Sequence, residues 1–451
     1  MAFAETARIA ACAPVAIRIE TFRLEGIMTR DTANYAALVG IDWADRKHDL
    51  CLQAAGSERR ERLVLEHRPE AIDEWACALR VRFGGQPVAI CLEQHKGPLM
   101  AALAKYDHLV LYPVNPLLVA TRRRGLKPSG AKSDIADAEL ILDLLSENTA
   151  KLRAWHPDDV RTRQLQALVE ARRTLVESRV RTTNALTANL KLYFPQALDL
   201  FDDLACGMAC DLLTQWPSLG QVQRVREATL TTFFHQHGVR NEELIAKRIA
   251  ALRAAMPLTT DSGILVPALL RTKTLVAVLR AQLDGISEYD AAITKAFESH
   301  PDADVFASFP GAGSTFAPRL LAAFGADRER FASARAIQEY AGVAPVTEAS
   351  GQSHWVHWRF ACPRFVRQSI VEWAGMSIRY SFWARTYYQE LRERGKGHNA
   401  AVRALAFKWL RIVFRCWQDR KPYDEAKYLL GLQKRQSPLL QAAAKPLPQL
   451  A

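Results

Sequence analysis

Four carboxylates and one hydroxyl in this chain have the types and spacing for phosphoryl chemistry. Asp134 and Asp137 lie in the stretch Gly130-Ala131-Lys132-Ser133-Asp134-Ile135-Ala136-Asp137-Ala138. It reads as a helix start: Ser133 can cap it, and acids in the first turns suit the helix dipole. Residues three apart share a helical face, so both carboxylates can address one spot, and the flanking alanines leave room for a close neighbour. Two carboxylates on one face suit a hard cation such as Mg²⁺. Taken alone, the plainer reading is a solvated, acidic helix start. Asp42 and Glu93 change that reading, because each follows an apolar run with the character of a buried strand. Together the four acids make a pocket able to hold two Mg²⁺ ions, which would serve the attacking and leaving oxygens of phosphoryl transfer. Asp45 and Glu139, close by, read as solvated.

The hydroxyl is Ser350. By spacing alone Ser350-Gly351 is a turn dipeptide. Arg359, Arg364 and Arg367 follow it and could neutralise a phosphate and ease ionisation of a hydroxyl. No Ser-His-Asp triad is visible, and the histidines lack zinc-ligand spacing. The eight cysteines form no C-x-x-C pair, which predicts reduced thiols in a cytosolic compartment and no structural zinc. No run reads as long and apolar enough to span a membrane.

A net charge of +12 over 451 residues suggests a polyanionic partner. Three stretches could meet it. Arg122, Arg123, Arg124, Lys127 and Lys132 form a basic loop before the Asp134 helix. Phe309-Pro310-Gly311-Ala312-Gly313 is a helix-opening turn whose backbone N–H groups, at Gly311 and Gly313, could contact phosphate. Gln352 to Arg367 interleaves Trp355, His357 and Trp358 with arginines, as a nucleic-acid surface does. A half-buried strand with its tryptophans inward fits the last stretch equally well.

Strands are predicted at 36–41, 49–54, 61–66, 87–92 and 108–114, with helices after the third, fourth and fifth. This order resembles the ribonuclease H fold, in which the first and fourth strands are neighbours, so Asp42 and Glu93 would stand side by side at carboxyl ends. Residues 158–192 and 269–299 read as long helices. The second carries the seam Val276, Leu279, Leu283, Ile286, Ile293 and Phe297, broken by Asp290. They could form an antiparallel hairpin, serving either as a packed bundle or as a dimerisation spacer. Helices at 314–324, 335–341, 368–394 and 399–417 follow.

As an ordered set, Val39-Gly40-Ile41-Asp42-Trp43-Ala44, Cys91-Leu92-Glu93, Val114-Asn115-Pro116, Lys132 to Ala138, Phe309 to Gly313, Tyr340-Ala341-Gly342-Val343-Ala344-Pro345, Ser350-Gly351 and the late Gly-Lys turn resemble one family. It is the DEDD-type insertion-sequence transposases, also called bridge-RNA-guided serine recombinases. The resemblance spans about residues 35–424. Gln352 to Phe365 departs from the family pattern, which is Gly-rich and basic with an Asn/Arg-Leu-Arg signature. The insert at 196–262 also makes this chain longer than compact members.

The resemblance implies an α/β plus all-α chain. Residues 1–34 would be a disordered extension, 35–150 a RuvC-like DEDD domain, and 151–304 a helical coiled-coil connector with the 196–262 insert. A mainly helical transposase domain would fill 305–430, and a disordered tail 431–451. It implies that Asp42, Glu93, Asp134 and Asp137 bind Mg²⁺ and that Ser350 attacks a DNA phosphate to give a covalent link that is later resealed. It further implies double-stranded element-end and target DNA as partners, a structured guide RNA encoded by the element, and a homodimer or homotetramer with active sites shared between subunits. The setting would be cytoplasmic, bacterial and nucleoid-associated. The rival readings are a metal-dependent nuclease such as a Holliday-junction resolvase, in which Ser350 is only a loop residue, and a non-catalytic nucleic-acid-binding protein.

Overall fold

The structure, a computed structural model, describes residues 20–23, 34–93, 97–126, 134–437 and 439. The chain divides into two compact units, Met1–Pro157 and Asp158–Ala451.

In the first unit the strands are β1 (Glu20–Arg23), β2 (Ala37–Asp42), β3 (Lys47–Ala54) and β4 (Arg59–Glu66). Then come α1 (Pro69–Arg82), β5 (Val88–Leu92), α2 (Pro98–Leu103), β6 (Leu109–Pro113), α3 (Pro116–Leu126) and α4 (Asp134–Asn148). The sheet order is β1-β4-β3-β2-β5-β6. β2 is antiparallel to β3 and parallel to β5, so the first and fourth of the expected strands are neighbours. β2 and β5 are buried on both faces, which is why they read as continuous apolar runs rather than alternating ones. Val39, Ile41, Ile90 and Leu92 pack on one side with Trp75 and Leu79 of α1 and Leu99 of α2. Leu38, Ala89 and Cys91 pack on the other with Val119 of α3 and Ile141 and Leu145 of α4.

Two expectations are corrected here. Glu20–Arg23 pairs with β4 as an edge strand, where a disordered extension was expected; the rest of 1–33 lies outside the described residues. The expected basic loop is largely the helix α3. Asn115 starts it by accepting a hydrogen bond from the Leu117 N–H at 2.9 Å, Pro116 sits where a missing N–H costs nothing, and Leu and Arg are good helix formers.

In the second unit α5 (Val160–Leu190) leads to α6 (Gln196–Leu200), α7 (Gly207–Gln215), α8 (Leu219–Arg224), α9 (Glu227–Gln236) and α10 (Glu242–Ala254). Next are α11 (Ser262–Glu298), α12 (Ala303–Ala307), α13 (Gly313–Phe324) and α14 (Ala334–Tyr340). The hairpin β7 (Val346–Ser350) and β8 (Ser353–His357) precedes α15 (Arg364–Tyr380), α16 (Phe382–Glu393), α17 (His398–Asp419) and α18 (Glu425–Lys434).

α5 and α11 form the expected antiparallel pair. Thr162 meets His300, Arg172 meets Asp290, Ser178 meets Gln282, and Asn189 meets Thr272. The polar seam break, Asp290, is thus spent on Arg172. α6 to α10 close a separate core over the far ends of the pair, with Phe194, Leu213, Phe234 and Leu279 buried in it. α11 begins seven residues before its expected start and carries Pro267 internally. By length and hydropathy it could cross a membrane, which corrects the expectation that no run could; in this structure its buried residues pack on α5 and the insert.

The third core is aromatic, with Phe309, Trp373, Trp383, Trp409 and Trp417 all buried. The single helix expected at 368–394 is two. Ser381 adopts extended backbone and its hydroxyl accepts from the Ala384 N–H at 3.4 Å, starting α16 afresh. α18 runs into the expected tail, burying Leu432; of the tail beyond Ser437 only Leu439 is described.

Candidate active site

The acidic end of the sheet is built by register. Ile41 pairs with Leu92, so Asp42 and Glu93 each stand one residue past the same rung of adjacent parallel strands. Gly40 lets α4 lie against the sheet: a Cβ there would sit 2.2 Å from the Ala138 carbonyl oxygen and 2.4 Å from the Leu142 nitrogen. Side chains alternate along a strand, so Asp42 and Glu93 are on this α4 side.

Two ion pairs fix the direction of α4. Arg62, level with Cys51 and Gly40, donates to Glu139 at 2.9 and 2.6 Å. Arg60, level with Gln53 and Leu38, donates to Asp143 at 2.5 Å. The helix therefore runs opposite to β2 and begins over its carboxyl end. From Ala138 back to Asp134 the helix rises about 6 Å; from Gly40 to Asp42 the strand advances about 6.7 Å. The first residue of α4 thus stands level with Asp42. Glu139, expected to be solvated, is half-buried in its bridge to Arg62.

Asp137 is buried, at 2 % exposure. Its Oδ1 accepts from Arg123 Nε at 2.7 Å, while its Oδ2 is buried with no hydrogen-bond partner among the described residues. A buried carboxylate oxygen left without a donor costs free energy, and hard oxygen donors suit Mg²⁺, so this oxygen suits a divalent cation. Asp49 belongs to the same end: it is nearly buried and directly opposite Asp42 in the ladder. Sequence reasoning missed Asp49 because it opens a strand as an ordinary hairpin residue; only the register pairs it with Asp42. Among the described residues no three His, Cys, Asp or Glu converge closely enough to hold a metal. Of Asp134 only the backbone is described.

Other chemistry at this end is limited. Cys51 and Cys91 flank Gly40 in register, and burial pushes both thiols up to about 12, which keeps them protonated and poor nucleophiles. His48 is fully buried and stacked beside Trp43. Its Nδ1 accepts from the Ala44 N–H at 3.3 Å, so its Nε2 carries the proton and donates to His67 Nδ1 at 2.9 Å. Burial, and then His67, lower its pKa to about 4, so it stays neutral.

The basic residues before α4 divide. Arg122 is paired with Glu147 and Arg123 with Asp137, and both brace α4. Arg124 is exposed. Lys127 and Lys132 lie outside the described residues.

In the second unit Ser350 ends β7 and is exposed. A two-residue turn, Gly351-Gln352, joins it to Ser353, with Gly351 at φ 57°, as a tight hairpin requires. The tryptophans divide: Trp355 is 61 % exposed, whereas Trp358 is half-buried between the guanidiniums of Arg367 and Arg403, 4.7 and 4.2 Å from its ring centre. Arg367 also donates to the Arg359 carbonyl at 3.0 Å. Arg359 keeps a buried Nε without a partner, and Arg364 is exposed at the start of α15. His357 donates from Nδ1 to the Trp358 carbonyl and from Nε2 to Glu348, both at 2.8 Å. Those two acceptors, carbonyl first, raise its pKa.

The Pro-Gly-x-Gly turn also divides. Gly311 packs its backbone against Tyr380 and Met376 of α15, and Trp373 donates to the Pro310 carbonyl. Gly313 is exposed at the start of α13 with open space around it. Beside it a cavity of about 410 Å³ is lined by Ser314, Thr315, Arg172, Arg173, Arg181 and Arg319 among others. Burial lowers the pKa of Arg319, opposed by its bond to Glu372.

Against known proteins, a DEDD transposase model of the IS110 type matches residues 39–195. A second model, described as transposase of the IS116/IS110/IS902 family, matches residues 303–389. A Streptomyces coelicolor protein assigned as the mini-circle transposase for IS117 is 30 % identical over 430 residues, covering 90 % of this chain and 98 % of its own. The 42 kDa protein of insertion element IS900 from Mycobacterium paratuberculosis is 31 % identical over 304 residues, 65 % of this chain and 73 % of its own. The pilin gene-inverting protein of Moraxella bovis is 26 % identical over 229 residues, 46 % of this chain and 63 % of its own.

Proposed function

The chain belongs to the IS116/IS110/IS902 family of transposases, and on that premise we propose that it moves its element by serine-mediated DNA strand exchange. Ser350 is the nucleophile, and Asp42, Glu93, Asp134 and Asp137 are the cation site. The observation that carries this reading is the acidic end of the first unit: two acids close adjacent parallel strands beneath the start of the helix bearing the other two.

Held there, Mg²⁺ would supply charge stabilisation at the phosphoryl oxygens. Asp42 and Glu93 are held by the sheet and Asp137 by Arg123, so the donors are fixed before substrate arrives, which limits reorganisation during reaction. Ser350 Oγ forms a bond to phosphorus as the bond from phosphorus to a deoxyribose oxygen breaks. The serine proton leaves and the departing oxygen takes one up. Resealing reverses this with a different deoxyribose hydroxyl. Arg124, Lys127, Lys132, Gly313, Arg359, Arg364 and Arg367 contact nucleic acid. The proposal extends to a structured guide RNA from the element and to a dimer or tetramer that brings the acids of one subunit to the serine of another. Family membership and the net charge of +12 support the polyanionic partners.

The test is incubation with element-end DNA, the flanking RNA and Mg²⁺, followed by denaturing electrophoresis. A protein–DNA adduct that disappears in Ser350→Ala is expected. Cleavage that survives Ser350→Ala but is lost in Asp134→Ala would replace the recombinase with a metal-dependent nuclease. Omitting the RNA tests guidance separately, since target choice should then fail while phosphate chemistry at a pre-paired site persists.

A further inference from the structure

The hairpin that carries Ser350 presents aromatic rings to solvent that the proposed chemistry does not use. Trp355 is 61 % exposed and Phe360 is 78 % exposed. They are not scattered. Trp355 and His357 lie with ring centres 4.7 Å apart and planes inclined by 33°, and Phe360 stacks on His357 at 6.3 Å and 25°.

Register places this row beside the serine. Directly opposed residues of an antiparallel pair share one face of the sheet. The opposed pairs are Ser350 with Ser353, Glu348 with Trp355, and Val346 with His357. Alternation puts all three pairs on the same face, so Ser350 shares its face with Trp355 and His357. The surroundings are cationic: no Asp or Glu occurs from Gly351 to Arg367, while Arg359, Arg364 and Arg367 do. The one acid on the face, Glu348, is bonded to His357. At the root of the row, Trp358 is clamped between Arg367 and Arg403.

An exposed aromatic row in cationic surroundings suits a polyanion that also offers flat apolar faces, and unpaired nucleic-acid bases are that chemistry. We infer that Trp355, His357 and Phe360 form a stacking platform for unpaired DNA bases next to the phosphate that Ser350 addresses. The location beside a scissile phosphate rests on the serine reading above; the stacking itself does not. From Ser350 to Trp355 the path is the diagonal to the next same-face residue of the partner strand, about 7–8 Å. Stacked nucleotides advance about 3.4 Å each, so the platform engages bases within about two nucleotides of that phosphate. Bases inside an intact duplex present only their edges, so the platform favours DNA already opened, as strands must be before they exchange.

The test uses the full chain and a fluorescein-labelled oligothymidylate of about 20 nucleotides, beyond the span of a single stacking site, with a duplex of the same length as comparison. Binding is followed by anisotropy. Trp355→Ala is expected to weaken oligothymidylate binding roughly 5- to 150-fold, the range of one lost base–aromatic stack, and duplex binding far less. Trp355→Phe should restore most of the loss, and Phe360→Ala should weaken binding by a smaller factor. Unchanged oligothymidylate affinity in Trp355→Ala overturns the platform. So does a loss that tracks dissociation of an oligomer in sedimentation and vanishes at matched oligomeric state, because the row is then a protein interface. Oligothymidylate binding needs no covalent chemistry. A platform failure alongside an adduct lost in Ser350→Ala leaves the serine reading standing. The opposite pattern keeps the platform and removes the serine reading.

Discussion

The acidic end of the first unit and the serine hairpin of the second are built in opposite ways. Asp42 and Glu93 terminate strands buried on both faces, and α4 lies so close that only glycine fits at position 40. Asp137 is buried and braced by Arg123. Ser350 sits on a two-stranded hairpin whose residues are nearly all exposed, and an isolated hairpin is marginal in water. What steadies it is the His357–Glu348 bridge and the clamped Trp358 at its base. Under the proposed function, the contrast would be of a preorganised cation site with an adaptable nucleophile arm. Acids that bind a cation must be held against mutual repulsion, which needs a rigid scaffold. On the same proposal, a serine that reaches two DNA substrates in turn would gain from an arm that can adjust.

Substitutions can break this comparison at its rigid end first. Asp42→Asn keeps the side-chain shape and removes the charge. Strand exchange should fall by about 100-fold or more, the scale of losing one preorganised electrostatic partner, with the melting temperature little changed. A large drop in melting temperature would mean that Asp42 is a structural acid. Gly40→Ala should do the reverse. Its Cβ meets backbone of α4, which no rotamer change can clear, and overpacking of this kind costs about 1–3 kcal/mol. Hydrogen exchange should speed up in β2 and α4 while the second unit is untouched. Unchanged protection in α4 would show that the close packing is dispensable.

The rigid end was also the more legible in sequence. Continuous apolar runs marked β2 and β5 because buried parallel strands need no polar alternation, and the acids that end them stood out. Asp49 did not, since its partner is set by register, a tertiary property. The helix at Pro116–Leu126 was misread because arginines suggest a loop when their partners, Glu147 and Asp137, are distant in sequence. At the hairpin, Ser350-Gly351 was readable as a turn, but inward and outward tryptophans were not separable. Trp355 faces solvent and Trp358 does not because Arg367 and Arg403, from two helices, close on only one of them. The antiparallel α5–α11 pair followed from its apolar seam, whereas the break at Ser381 rested on a cap that an amphipathic pattern hides.

A smaller effect probes the adaptable end. Gly351 holds φ 57° with no atom near its missing Cβ, so alanine there pays only backbone strain, about 1–2 kcal/mol. Gly351→Ala should leave the thermal transition of the helical core in place, because the tip contributes nothing to that core, while hydrogen exchange in β7 and β8 accelerates. Adduct formation should slow by a factor of about 30 at most, in keeping with strain of that size. A cooperative loss of the whole unit would mean that the hairpin is part of the core and not an arm.

The smallest expected effect is a pH dependence confined to the same arm. His357 gives both ring protons to acceptors, the Trp358 carbonyl and Glu348, and its folded pKa is raised above 6.5. A raised folded value means that the cation stabilises the hairpin. That contribution is fully present below pH 6.5 and is lost as pH rises through the folded value. Loosening of β7–β8 should therefore set in above pH 6.5, seen as faster exchange corrected for the intrinsic base dependence and as a shift of the His357 ring resonances. Exposure of Glu348 keeps the effect small, because solvent screens the pair. His357→Gln should remove the pH dependence while retaining one hydrogen bond to the hairpin. His48, already neutral above about 4, should not respond over this range. If the hairpin loosens instead as pH falls toward 6, the charge on His357 is destabilising, and Glu348 cannot be the contact that steadies the arm.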